Sequence, residues 1–207
     1  MKRSLEEHAE RFSAMAVGYD EQAGPEYLAC ADLVIEHADP APDDVVLDLG
    51  TGTGAIALAL ADAVDPDAGG IVVGRDISEG MLELARRKIA DGSYEHVSVG
   101  EGSFREPNYD GPVDVVTSNF ALHHLDDESK RDAVTVVAGY EPGRFVLGDL
   151  MFFGEPDPSA TFYDPDVDDP ATVGVLVEAF TEAGFAVTAV ERVDDQVGVL
   201  VGERFDS

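Results

Sequence analysis

Val45-Val46-Leu47-Asp48-Leu49-Gly50-Thr51-Gly52-Thr53-Gly54 carries an apolar run straight into a turn of alternating glycines. A run of this length, polar only at Asp48, predicts a buried strand of a parallel sheet. The glycines let backbone approach a ligand, and the helical pattern over 54–64 puts that approach at a helix N-terminus, where N–H groups are free. Gly50, Gly52 and Ala55 also satisfy the dinucleotide pattern G-x-G-x-x-G/A, with Asp76 placed as a ribose ligand, so the turn alone selects no cofactor.

Outward from this turn, short β-branched runs alternate with longer helical patterns. Strands are predicted at 45–49, 71–75, 96–99, 113–118, 144–149, 185–192 and 197–201, and helices at 54–64, 79–90, 128–138 and 171–183. Ser78 reads as an N-cap and Gly184 as a terminator. Between Val99 and Val113 the breakers Gly100, Gly102, Pro107, Gly111 and Pro112 leave no room for a helix. Asp194-Asp195-Gln196 is too short for a parallel crossover, so the last two strands must form an antiparallel hairpin. Two further helices, 4–16 and 25–37, precede the first strand and are available as a lid, and Gly154 to Pro170 is an irregular stretch holding Phe162 and Tyr163. The expectation is one domain over 1–207, with lid helices in 1–40 and a three-layer α/β core in 41–207 built on a mostly parallel seven-stranded sheet.

Composition narrows the classes. The chain has 207 residues, 44% of them hydrophobic, enough for a sizeable core despite a net charge of -30 from 43 acidic and 13 basic residues. Concentrated salt screens such self-repulsion, the Debye length falling to about 3 Å at 1 M, and the acidity reads as adaptation to a salty cytoplasm. No Lys/Arg stripe is visible, which argues against nucleic acid. The lone Cys30 excludes a disulfide framework and a cysteine-rich metal site, and no metal ligands are assigned. No apolar stretch has the length of a signal or a membrane span, so a cytoplasmic location is expected.

Three more segments decide between cofactors. Val72-Val73-Gly74-Arg75-Asp76-Ile77-Ser78-Glu79-Gly80-Met81-Leu82, Ser118-Asn119-Phe120-Ala121-Leu122-His123-His124-Leu125 and Pro142-Gly143-Arg144-Phe145-Val146-Leu147-Gly148-Asp149 follow the glycine turn in order. Together, over roughly 45–150, these segments resemble the successive motifs of class I S-adenosylmethionine-dependent methyltransferases. The resemblance implies a Rossmann-like fold, S-adenosyl-L-methionine as cofactor, and Gly50, Thr51, Gly52 and Gly54 as its cradle. It places Asp76 on the two ribose hydroxyls, with Ile77 and Met81 in the same motif, Asp48 near the amino group, and Asn119 beside the methionine part. Tyr19 and Phe12, near the lid, are placed to close over the sulfonium through their ring faces. One departure stands out. Where many members have Gly-Asp after the third strand, this chain has Gly102-Ser103-Phe104; Ser103 accepts from the adenine amine with Phe104 against the ring, or Glu101 replaces the missing acid.

Methyl transfer from a sulfonium is an in-line displacement, so positioning and water exclusion are the protein's main tasks. Where the acceptor must lose a proton, His123 or His124 is placed to take it, with Asp149 as a second candidate. Adjacent histidines diverge on a regular element, so at most one should face the cavity. A chain without an appended basic domain points to a small-molecule acceptor. The alternatives are a nucleic-acid or protein methyltransferase, although the Asn-Pro-Pro-aromatic pattern is absent, a module that binds the cofactor without transferring methyl, and a nicotinamide oxidoreductase.

Overall fold

The computed structural model describes residues 4–155 and 163–205. Strand β1 (Val45–Leu49) is buried at all five positions because it lies inside the sheet with helices on both faces. It pairs in parallel with β2 (Ile71–Asp76) and with β4 (Val115–Asn119). Beyond these, β3 (Val97–Glu101) and β5 (Arg144–Phe152) add parallel strands on either side. Next to β5 comes β8 (Val197–Glu203), antiparallel to it and to β7 (Ala186–Arg192), which makes the order β3-β2-β1-β4-β5-β8-β7. The closing hairpin is secured by Asp194, whose carboxylate accepts from the amides of Gln196 and Val197 at 2.6 and 2.8 Å.

The described residues hold eight strands, not the seven expected. The extra one, β6 (Ala171–Thr172), pairs in parallel with the far end of β5. Helix α6 (Val173–Glu182) therefore starts two residues later than its periodicity suggests, capped by Thr172. No helix fills the stretch from Gly102 to Asp114, as the breakers predict.

Helices α2 (Pro25–Ala38), α3 (Ala55–Ala61) and α4 (Glu79–Gly92) cover one face of the sheet. On the other, α5 (Asp127–Gly139) and α6 enclose an apolar core in which Phe145 and Phe180 stack at 4.8 Å. Helix α2, expected as part of a lid, is instead a core layer. Its inner face, Cys30, Ala31, Val34 and Ala38, is buried, and it comes so close to β5 that a Cβ on Gly148 would lie 2.5 Å from Val34 and 2.7 Å from the Cys30 sulfur. Small residues and a glycine at the crossing let the helix sink onto the sheet.

Among the α-helices of the described residues, α1 (Leu5–Met15) lies outside these layers, as does the turn after it. Helix α1 opens with a capping box between Ser4 and Glu7 and docks on the start of α4, where Ser13 Oγ bonds Ser78 Oγ at 2.9 Å and accepts from Gly80 N at 3.2 Å. Among the described residues no helix is long and apolar enough to cross a membrane.

Gly80 permits this docking, since a Cβ there would fall 2.8 Å from Ser13 Cα. Gly80→Ala should therefore loosen α1 while sparing the sheet. Overpacking costs about 1–3 kcal/mol, so tryptic cleavage at Arg11 should accelerate roughly tenfold with circular dichroism preserved. Unchanged cleavage would mean that α1 is held elsewhere.

Candidate active site

The carboxyl ends of β1, β2, β3 and β4 open on one cavity of about 280 Å³. Backbone closure of the glycine turn comes first. Both Gly50 N and Thr51 N donate to Arg75 O, at 2.8 and 3.0 Å, pinning the turn to the end of β2. Gly50 has φ +71, and a Cβ on it would lie 2.3 Å from that of Ala121, so the turns after β1 and β4 meet only because this residue is glycine. At Gly52, φ is +55 and a Cβ would meet nothing within 4 Å, which leaves its backbone bare to the cavity.

Asp76, at the end of β2, closes this wall. Its Oδ2 accepts from Gly52 N and its Oδ1 from Ser78 N, both at 2.8 Å, and burial raises its pKa. The carboxylate keeps acceptor capacity toward the cavity, the requirement for receiving a vicinal diol. Ile77, Met81, Gly102, Ser103 and Phe104 line the adjoining part of the cavity. Ser103 Oγ accepts from Glu106 N at 3.1 Å and retains its own proton and one lone pair. Glu101 is exposed on β3 and is absent from the cavity wall, so the shifted-loop alternative is not what the structure has. Asn119 also lines the cavity, its side-chain amide buried beside the Tyr27 phenol. Bare glycine backbone, a diol-ready carboxylate and a buried amide fit a nucleoside cofactor bearing an amino-acid end.

Tyr19 reaches the cavity from the turn after α1, and burial raises its phenol pKa. The next residue, Asp20, holds that turn in place by accepting from Thr53 Oγ1 in the glycine turn and from Lys88 Nζ at 2.6 Å. Phe12 joins Tyr19 in the wall, as anticipated. His8 and Tyr27 do too, although the sequence reading did not single them out. His8 lies one helical turn before Phe12 on the same face of α1, a pairing that periodicity makes visible. Phe120, whose ring lies 5.2 Å from that of Tyr27, and Arg105 complete additions to the wall.

Four expected residues are not in the wall. Gly54 caps α3, and Asp48 lies beneath the turn, 1% exposed and accepting from Thr117 Oγ1 at 2.8 Å. Burial pushes Asp48 up to about 6. The other two are His123 and Asp149, which are paired. Asp149 takes the ring Nδ1 and backbone N–H of His123 together with its own neighbour's amide, from Leu150. With its oxygens so committed, Asp149 holds the His123 ring in one orientation.

His124 alone of the two histidines borders the cavity. The rings nevertheless do not diverge. They lie 4.0 Å apart because the segment is a 3₁₀ turn, Leu122–His124, entered through Phe120 at φ +54, and not a strand or α-helix. Burial, together with the neighbouring His123, pushes His124 down to about 4, leaving its imidazole neutral. Its Nδ1 lies 3.0 Å from Asp168 Oδ1. Asp168 belongs to the irregular stretch before α6 and no local motif marks it.

The methyltransferase domain family matches residues 46–139. The uncharacterized methyltransferase YrrT of Bacillus subtilis is 32% identical over 163 residues, covering 72% of this chain and 73% of the relative. Among solved structures, a chain in the complex between the Haloferax volcanii methyltransferase activator and the putative methyltransferase superposes with a TM-score of 0.75 at 22% identity, covering 93% and 96% of the two chains. Magnesium protoporphyrin IX methyltransferase from Synechocystis, solved with bound SAM, gives a TM-score of 0.66 at 18% identity over 86% of this chain and 79% of that one; both likenesses are of fold.

Asp48 provides a test of what lies under the turn. Its folded pKa of about 6 exceeds the ordinary value of 3.8, so the folded state holds the extra proton and stability falls as pH rises through that interval. The displacement corresponds to about 3 kcal/mol. Asp48→Asn should escape this loss, unfolding at higher urea than wild type above pH 7 and converging with it near pH 4. A constant difference across pH would show that Asp48 is ionised without penalty.

Proposed function

Because the chain belongs to the class I S-adenosylmethionine-dependent methyltransferases, we propose that it methylates a small molecule bound between α1 and the turn after β4. The observation that supports this is the wall beyond the glycine turn. His8, Phe12, Tyr27, Phe120 and His124 crowd it with rings from three segments, which suits a compact acceptor more than a polymer. The chain's net charge of -30 also disfavours a polyanionic acceptor.

When bound, S-adenosyl-L-methionine supplies an electrophilic methyl on a sulfonium. Every other part falls to the chain. The backbone of Gly50, Thr51 and Gly52 cradles the cofactor, Asp76 holds the ribose hydroxyls, and Ile77, Met81, Gly102, Ser103 and Phe104 receive the adenine. Asn119 binds the amino-acid end, Gly54 starts the helix behind it, and Asp48 braces the turn from below. Tyr19 and Phe12 exclude water, so that catalysis comes chiefly from alignment. An acceptor that must lose a proton meets His124 at the cavity wall, with His123 packed behind it and held by Asp149. We further read the acidic surface as tuned to a concentrated-salt cytoplasm.

Incubation with methyl-labelled cofactor and cell extract should put label in a new low-mass product that chromatography separates from the cofactor and that does not form without the enzyme. Label confined to protein or nucleic acid would overturn the acceptor class. Asp76→Ala, which removes hydrogen bonds worth about 1.5–3 kcal/mol each to a charged group, should weaken S-adenosylhomocysteine binding by at least about tenfold in calorimetry. For the surface, raising KCl from about 0.1 M to about 2 M, where screening is nearly complete, should raise the melting temperature. A flat or falling response would remove the salt reading.

A further inference from the structure

We infer that His123, His124 and Asp168 form a divalent metal site at the acceptor end of the cavity, taking a first-row ion of the Zn²⁺ type. Three atoms converge there: His123 Nε2, His124 Nδ1 and Asp168 Oδ1. Asp168 Oδ1 lies 3.0 Å from His124 Nδ1 and 3.8 Å from His123 Nε2, and each of the three residues offers a ligand atom within 4.8 Å of the others'. Bonds of about 2.0–2.1 Å to one ion at tetrahedral angles would put ligand atoms about 3.3 Å apart, between the two spacings found.

Satisfaction of the polar atoms points the same way. The three side chains are 6%, 15% and 10% exposed, yet His124 Nδ1 and Asp168 Oδ1 make no aligned hydrogen bond. They face each other at 3.0 Å as an imidazole–carboxylate pair, and an ion held by both would replace that contact. The remaining atoms of the cluster are already spoken for. Asp168 Oδ2 accepts from Asp164 N at 2.9 Å, which turns Oδ1 inward, and Asp149 binds His123 Nδ1, which turns Nε2 toward Asp168. A carboxylate behind a ligating histidine fixes its tautomer and raises its basicity.

The two segments that bring the ligands together are clamped. Asp169 N donates to His123 O at 2.6 Å, and the buried Lys130 ammonium donates to the carbonyls of both Leu125 and Asp169. The site is thus preformed, and two imidazoles with one carboxylate suit zinc and its neighbours more than calcium or magnesium. Three protein ligands leave a fourth position. A hydroxyl or thiol acceptor bound there would lose its proton to bulk water and be held as its anion; this consequence rests on the methyl-transfer reading, whereas the ion site does not.

The test uses untagged, chelator-stripped protein titrated with CoCl₂ in the absence of cofactor. Wild type should develop visible d–d absorption saturating at one equivalent and abolished by ZnCl₂. Asp168→Asn and His124→Ala should lose the band with circular dichroism unchanged, Asp149→Asn should weaken cobalt binding about 10–100-fold, and His96→Ala, outside the cluster, should match wild type. No band in wild type, or a band that survives in Asp168→Asn, would overturn the site and leave a plain imidazole–carboxylate pair. Methyl transfer measured separately with labelled cofactor distinguishes failure of this site from failure of the proposed activity.

Discussion

Everything in the cavity depends on how closely the turn after β1 approaches the turn after β4. With the two strands adjacent and parallel, their carboxyl ends open on the same side, and Gly50 lets the first turn pack against Ala121 of the second. A side chain at position 50 would part them, and with them the cofactor cradle and the histidine cluster. Two residues on, the Gly52 amide reaches Asp76 at the end of β2. One steric allowance thus aligns three strand ends, at the switch point where open α/β sheets bind ligands.

Beneath the cavity runs a layer of buried charge. Asp48 leans on Thr117, Asp149 holds His123, and Lys130 spans two carbonyls although it is 1% exposed. Such groups are costly to desolvate, and each is kept where it orients a segment that carries chemistry. Helix α2 packs its inner face on the sheet and gives the cavity wall Tyr27 from its first turn, while the lid role passes to α1 and Tyr19.

Most of the fold was legible because its signals are local. The apolar run at 45–49, the cap at Ser78, the breakers after Val99 and the short Asp194–Gln196 turn each constrain the chain within a few residues, and the structure has all four features. Strand β6 was not legible, since two residues carry no period. Nor was the core position of α2: its apolar face looks the same whether it packs on a sheet or closes over a ligand, and Gly148, which admits it, lies far away in sequence.

By itself, the sequence determined the order of strands and helices apart from β6, the glycine turn, Asp76 at the end of β2 and the family to which these motifs belong. Tertiary structure alone decided that Asp48 lies under the turn, that His8 and Tyr27 enter the wall, and that Asp168 comes within 3.0 Å of His124. The reason is range. Periodicity, caps and turns act over a few residues, whereas Asp168 reaches His124 through a clamp linking Lys130 and His123 to Asp169, contacts that exist only once the sheet and both its helical layers have closed.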